Sequence, residues 1–285
     1  VRNQQQDQAR GADANGEGAD LAPALEHIMW DEHENQAGRV DHAEKDEVST
    51  TANAVKSINV MFSSTAYGPL WRPAVDSWLR VVGVTSRELT VSMRGKMGGV
   101  GVTDRTYVHS ASNQLVKDFL DNEEATHLFC TEMDMILPDD TILKLLALDK
   151  DIACGLYFIR NGDGQPCLYQ KVFTQPGNPY PHSPVHAFPT SRPFKVDCPG
   201  MGCVLFRKSV FETVMKPWFD LKADHYGSDM YFFTKSKEAG VECWCDPTVR
   251  CAQVDYCVVS YEDYEKKIAK EPDWLSKGVI LGGLE

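Results

Sequence analysis

Residues 126–140 read THLFCTEMDMILPDD. Leu128-Phe129-Cys130 is a short apolar run that delivers the chain straight into Glu132-Met133-Asp134; Pro138 and two more carboxylates, Asp139 and Asp140, follow. A run of this length suits a strand buried on both faces. Acids at its carboxyl end then fall where open α/β sheets bind their ligands. Glu132 and Asp134, two residues apart, read either as ligands for a hard divalent cation carrying a diphosphate or as solvated turn acids. Asp139 or Asp140 reads as the N-cap of a helix over 139–149.

Outward from this stretch the chain alternates. Strands are predicted at 58–62, 88–93, 126–130 and 151–159, with helices over 69–82 and 104–122 between them. Further on, residues 200–214 read as strand then helix, 227–240 as a helix ending at Gly240, and 241–256 as strand, turn, strand. Such alternation predicts an α/β layered fold with a mostly parallel central sheet flanked by helices. Residues 161–200 break the pattern, holding eight of the fifteen prolines. They read as one long functional connection, with Tyr169, Tyr180, His182, His186 and Phe188 suited to fold over a ligand.

Composition narrows the class. At 285 residues, 42% hydrophobic and 25% charged, the chain is long enough for a sizeable core and ordinary for a globular protein. No apolar run reaches the roughly eighteen residues of a membrane span. The first residues show no apolar signal segment, so either the location is cytoplasmic or a leader is missing from this chain. None of the nine cysteines forms a C-x-x-C pair, which favours buried thiols over zinc. The net charge of −12 is concentrated, with −8 in residues 1–55, whereas 160–216 carry +4. Residues 1–55 therefore read as an acidic extension, disordered or partly helical. Residues 56–260 form the main domain and 261–285 a C-terminal helix and tail.

The ordered segments ATHLFCTEMDMILPDDTILKLLALDKDIACGLYFIR, VDCPGMGCVLFRKSVFETV and PWFDLKADHYGSDMYFFTKSKEAGVECWCDPTV, within about 57–255, resemble glycosyltransferases of the GT-A fold, family-2-like members in particular. The resemblance implies a Rossmann-like sheet with a smaller acceptor-side β region, and a metal-dependent hexosyltransferase using a nucleotide-diphosphate sugar with Mn2+ or Mg2+. Within it, Asp134 and Glu132 fill the D-x-D metal positions. Asp229 matches the general base of an inverting displacement, although it equally reads as the N-cap of its helix, as does Ser228. Gln253 stands where the family carries a metal-binding histidine, and Ser228 where it carries a second acid.

On the donor side the resemblance places Thr65, Ala66, Tyr67 and Met133; apart from it, the glycine-rich loop RGKMGGVGVT lacks the phosphate-loop pattern, and Arg94, Lys96 or Arg105 read as phosphate contacts. On the acceptor side it places Gly200, Met201, Gly202, Trp218 and Ser228. UDP-glucose is the default donor. The acceptor stays open between a 5-hydroxymethylpyrimidine in phage DNA, in which case the location is the host cytoplasm, and a glycan or protein hydroxyl. A non-catalytic module binding nucleotide-sugar or nucleic acid is the alternative to an enzyme.

Overall fold

The computed structural model describes residues 58–65, 70–93, 107–160, 164–171, 182–221, 227–254 and 258–281. The readings for residues 1–55, Ala66, Tyr67, Arg94, Lys96, Arg105 and Tyr180 lie outside them. The described residues belong to one unit, Thr51–Glu285.

Its first half follows the predicted alternation. Strand β1 (Asn59–Thr65), helix α1 (Arg72–Glu88), β2 (Thr90–Met93), α2 (Val108–Asp121), β3 (His127–Glu132), the short β4 (Met135–Ile136), α3 (Thr141–Ala147) and β5 (Ile152–Leu156) come in turn. The second half holds β6 (Leu168–Lys171), β7 (His182–Ala187), β8 (Phe194–Val196), β9 (Cys198–Pro199) and β10 (Cys203–Arg207). Then come α4 (Lys208–Thr213), α5 (Ser228–Glu238), β11 (Cys243–Arg250), β12 (Ala252–Val254), β13 (Val258–Val259), α6 (Tyr261–Lys270), a 3-10 turn (Pro272–Lys277) and β14 (Val279–Ile280).

The central sheet has seven strands in the order β2-β1-β3-β10-β5-β11-β8. It is mixed, which corrects the expectation of a mostly parallel sheet. β2, β1 and β3 are mutually parallel, as are β5 and β11, but β10 enters antiparallel between β3 and β5 and β8 closes the edge antiparallel. An antiparallel insert leaves the alternation of apolar residues unchanged, so periodicity alone cannot show it. The architecture is an α/β sheet with helices on both faces, compatible with a GT-A-like arrangement.

Successive strand residues feed opposite cores. Val60, Phe62, Phe129, Ala153 and Leu205 pack on one face with Trp78 and Val81 of α1 and Ile142 and Leu145 of α3. Met61, Leu128, Cys130, Cys154, Val204 and Phe206 pack on the other with Val116 and Phe119 of α2, Phe211 of α4 and Phe232 of α5. Burial on both faces explains why these strands read as continuous apolar runs. Cys154, Cys243 and Cys245 share the second core, and the eight described cysteines are free thiols.

Residues 161–200 are not one long loop. β6, β7 and β9, with β14, make a four-stranded sheet, and β8 edges the central one. Of the side chains expected to fold over a ligand, Phe188, His186 and His182 are spent inside. Phe188 is buried and stacks on Phe194; His186 stacks on Trp274, 4.0 Å between ring centroids, and bonds its carbonyl through Nδ1. His182 is buried against Thr234. Short strands that contain or border proline, such as Pro184 within β7 and Pro199 in β9, leave little periodicity to read. Among the described residues no helix is long and apolar enough to cross a membrane.

Candidate active site

β1 and β3 run parallel as neighbours, with Thr65 opposite Glu132, so their carboxyl ends open on the same edge of the sheet. Past Glu132 the chain turns tightly, and the turn is pinned from two sides. Met133 donates its N–H to the Thr65 carbonyl at 3.2 Å. From α1, the Trp78 indole N–H donates to the Met135 carbonyl at 3.0 Å, and the Ser77 hydroxyl accepts from Leu137 N–H at 3.1 Å. The Met133 side chain packs against the α1-side core.

Asp134 sits in that turn, 2% exposed. Its carbonyl accepts from Val254 N–H at 2.8 Å, tying the turn to β12. Its Oδ2 accepts from Arg160 Nη1 at 2.8 Å and from Gln253 Nε2 at 3.2 Å, whereas the buried Oδ1 has no partner among the described residues. Glu132 is partly exposed at the end of β3. Burial, reinforced by Asp134 and Asp229 and opposed by Arg160, pushes its carboxyl up to about 7. Glu132 therefore feels the charge of both other carboxylates.

Asp229 arrives from the other side of the cleft. The N-cap of α5 is Gly227, in extended backbone, which corrects the capping reading of Ser228 and Asp229; they are the first two residues inside the helix. Asp229 Oδ1 accepts from Met230 N–H at 2.8 Å. Burial raises its pKa, more than the backbone N–H groups of Met230 and Asp229 lower it. Gly227 leaves room for this carboxylate, since a Cβ there would lie 2.7 Å from Asp229 Oδ1.

Between these groups lies a cavity of about 180 Å³. Its wall includes Thr65, Glu132, Ser228 and Asp229 on the polar side and Leu115, Phe206, Phe211 and Phe219 on the apolar side. Met201 lines it too, but the flanking glycines serve another neighbour. A Cβ on Gly200 would lie 2.0 Å from Tyr157 Oη, and one on Gly202 2.8 Å from Tyr157 Cζ. The glycines admit the buried Tyr157 ring, whose hydroxyl accepts from Gly202 N–H at 3.2 Å.

Trp218, expected at the acceptor, is instead a core residue, 4% exposed, with its indole N–H given to the Phe211 carbonyl at 3.1 Å. It stands behind the cavity wall. Asp139 and Asp140 do not cap α3 either. Asp140 occupies the N-cap position without a side-chain cap bond and pairs with Lys144 at 2.9 Å, while Asp139 pairs with Arg80 at 2.9 Å.

The donor set fits a resident divalent ion poorly. Among the described residues no three His, Cys, Asp or Glu side chains are grouped to hold one. Asp134 Oδ2 already carries a guanidinium, and Gln253 presents its amide nitrogen. Among the described residues, Asp134 Oδ1 remains an unpartnered buried acceptor. Sequence reasoning gave Arg160 no role. It closes the run GLYFIR, and the fold, not spacing, brings it across to Asp134.

No family model matches the chain, and no curated protein does. Among solved structures it is similar to A197 from STIV, with a TM-score of 0.52, 14% identity, and coverage of 80% of this chain and 95% of that one. That likeness shows a shared fold. GalNAc-T7 with UDP, GalNAc and Mn2+ matches at TM-score 0.47 and 10% identity, over 70% of this chain and 43% of that one. A Bacillus anthracis protein described as a glucose-1-phosphate thymidylyltransferase, in complex with a sucrose, matches at TM-score 0.38 and 9% identity, over 79% and 97%. Likenesses as faint as these two carry no argument about the chemistry of this chain.

Proposed function

We propose that the chain is a glycosyltransferase that moves a hexose from a nucleotide-diphosphate sugar to an acceptor hydroxyl with inversion. One observation carries the reading. Glu132 and Asp229, from segments far apart in sequence, face one partly apolar cavity beyond the carboxyl ends of β1 and β3. Asp229 is the base. Its N-terminal helix position orients the carboxylate, and its raised pKa makes it a stronger proton acceptor than an ordinary carboxylate. It takes the acceptor hydroxyl proton as that oxygen attacks the anomeric carbon and the nucleoside diphosphate leaves. Thr65 and the Glu132–Asp134 turn border the donor end.

Charge bears on the acceptor. Three of the seven basic side chains of segment 160–216, Lys171, Lys195 and Arg207, meet Glu238, Glu242 and Asp149 of neighbouring segments. That pairing leaves less of the charge for a phosphate backbone, which favours a glycan or protein hydroxyl over DNA.

The test is donor turnover across a nucleotide-sugar panel, UDP-glucose first, with glycan, protein and hydroxymethylated DNA acceptors. Wild type should release nucleoside diphosphate with at least one pair. Asp229→Asn should lower kcat by roughly a hundredfold or more with little change in donor KM. Full turnover in Asp229→Asn removes the base assignment; donor binding without turnover on any acceptor leaves a binding module instead.

A further inference from the structure

We infer that Arg160 supplies the fixed positive charge for the donor's diphosphate, so that nucleoside diphosphate binding does not depend on a divalent ion. The inference rests on the nucleotide-sugar reading above and goes beyond it, since it replaces the metal that the sequence pattern implies.

The geometry is that of an anchored fork. Arg160 is 53% exposed at its side chain and Asp134 only 3%, with 2.8 Å between Nη1 and Oδ2. One corner of the guanidinium is thus fixed in the protein while much of the group faces outward. A guanidinium carries five N–H donors in a plane, and its free edge matches two phosphate oxygens at once.

The anchor is itself held. Asp134 is fixed to β12 through the Val254 N–H and the Gln253 amide, and β12 pairs with β4 and β13. The backbone leading to Arg160 is fixed as well, since Ile159 N–H bonds the Gln165 carbonyl and Cys167 N–H the Tyr157 carbonyl, both at 2.9 Å. A cation placed in advance needs no reorganisation when charge develops on a leaving diphosphate.

The same contacts disfavour a dication at this carboxylate. An ion bound by Asp134 would sit beside a guanidinium already 2.8 Å from one of its oxygens, and like charges that close repel. The family's histidine position holds Gln253, whose Nε2 donates to Asp134. Asp134 then acts as a positioning residue for Arg160, and Gln253 supports it.

Titration calorimetry of the full chain with UDP, GDP, ADP and dTDP, once in EDTA and once in Mn2+, reads this directly. For whichever nucleotide binds, Kd in EDTA should lie within about threefold of Kd in Mn2+, and Arg160→Gln should raise Kd by about tenfold or more in both buffers. Arg160→Lys, which keeps the charge and loses the fork, should fall between them. A far-ultraviolet circular dichroism spectrum of Arg160→Gln that matches wild type at the assay temperature shows that the fold is intact there, even where the loss of the buried pair lowers the thermal midpoint. Binding that requires Mn2+, or undiminished binding by Arg160→Gln, overturns the role of Arg160 and leaves the glycosyltransferase reading standing. No binding by any nucleotide in either buffer overturns both.

Discussion

Glu132→Gln should make the protein more stable at alkaline pH and leave it unchanged in acid. The Glu132 carboxyl is raised from 4.5 to about 7 by burial and by Asp134 and Asp229, with Arg160 opposing. A carboxyl whose folded pKa exceeds its unfolded one holds its proton more tightly when folded. Its contribution is therefore fully present below about pH 4.5 and is lost as the pH rises through 7. At about 1.4 kcal/mol per pKa unit, the full shift corresponds to roughly 3 kcal/mol, and solvent screening of this partly exposed group reduces that to about 2 kcal/mol. Glutamine is neutral throughout and nearly isosteric, so it escapes the loss. Urea unfolding of wild type and Glu132→Gln between pH 5 and 8, in EDTA, measures the difference. The variant should exceed wild type by less than about 1 kcal/mol at pH 5 and by about 2 kcal/mol at pH 8. A difference that does not change with pH would refute the claim that burial, with the neighbouring carboxylates, raises the Glu132 pKa on folding.

Other perturbations probe the packing. Gly200→Ala drives a Cβ to 2.0 Å from Tyr157 Oη and should cost about 1–3 kcal/mol by chemical denaturation, with part of the loss recovered in the double variant with Tyr157→Phe. Trp78→Phe keeps most of the buried ring but drops the bond to the Met135 carbonyl, and should cost about 1–3 kcal/mol. Trp218→Phe should lower stability by about 1–2 kcal/mol, because a buried indole bond is lost; acceptor KM should stay at the wild-type value. A selective rise in acceptor KM would return Trp218 to the site.

The difference between what was legible and what was not tracks the range of the interactions. The first half of the sheet was readable because apolar runs and helical periodicity are local properties of a few neighbouring residues. The run 128–130 announced β3, and the acids after it announced a turn at a strand's carboxyl end. Residues 161–200 were not legible because their strands are short and interrupted or bordered by prolines, and short strands are stabilised by partners elsewhere, such as β14 for β7. The direction of β10 was hidden for the same reason, since a strand buried on both faces has the same pattern either way.

The sequence by itself determined that acids come after β3, that Asp229 opens a helix, and that the core strands are apolar on both faces. Tertiary structure decided what those acids meet. Asp229 reaches the cavity of Glu132 only because α5 packs against the sheet beside α2. Arg160 reaches Asp134 because β5 and β12 deliver their neighbours to the same turn, and Trp218 is spent on Phe211. A side chain's chemistry is written in the sequence; its partner, and hence its charge and its use, depends on chain segments that only folding brings within hydrogen-bond distance.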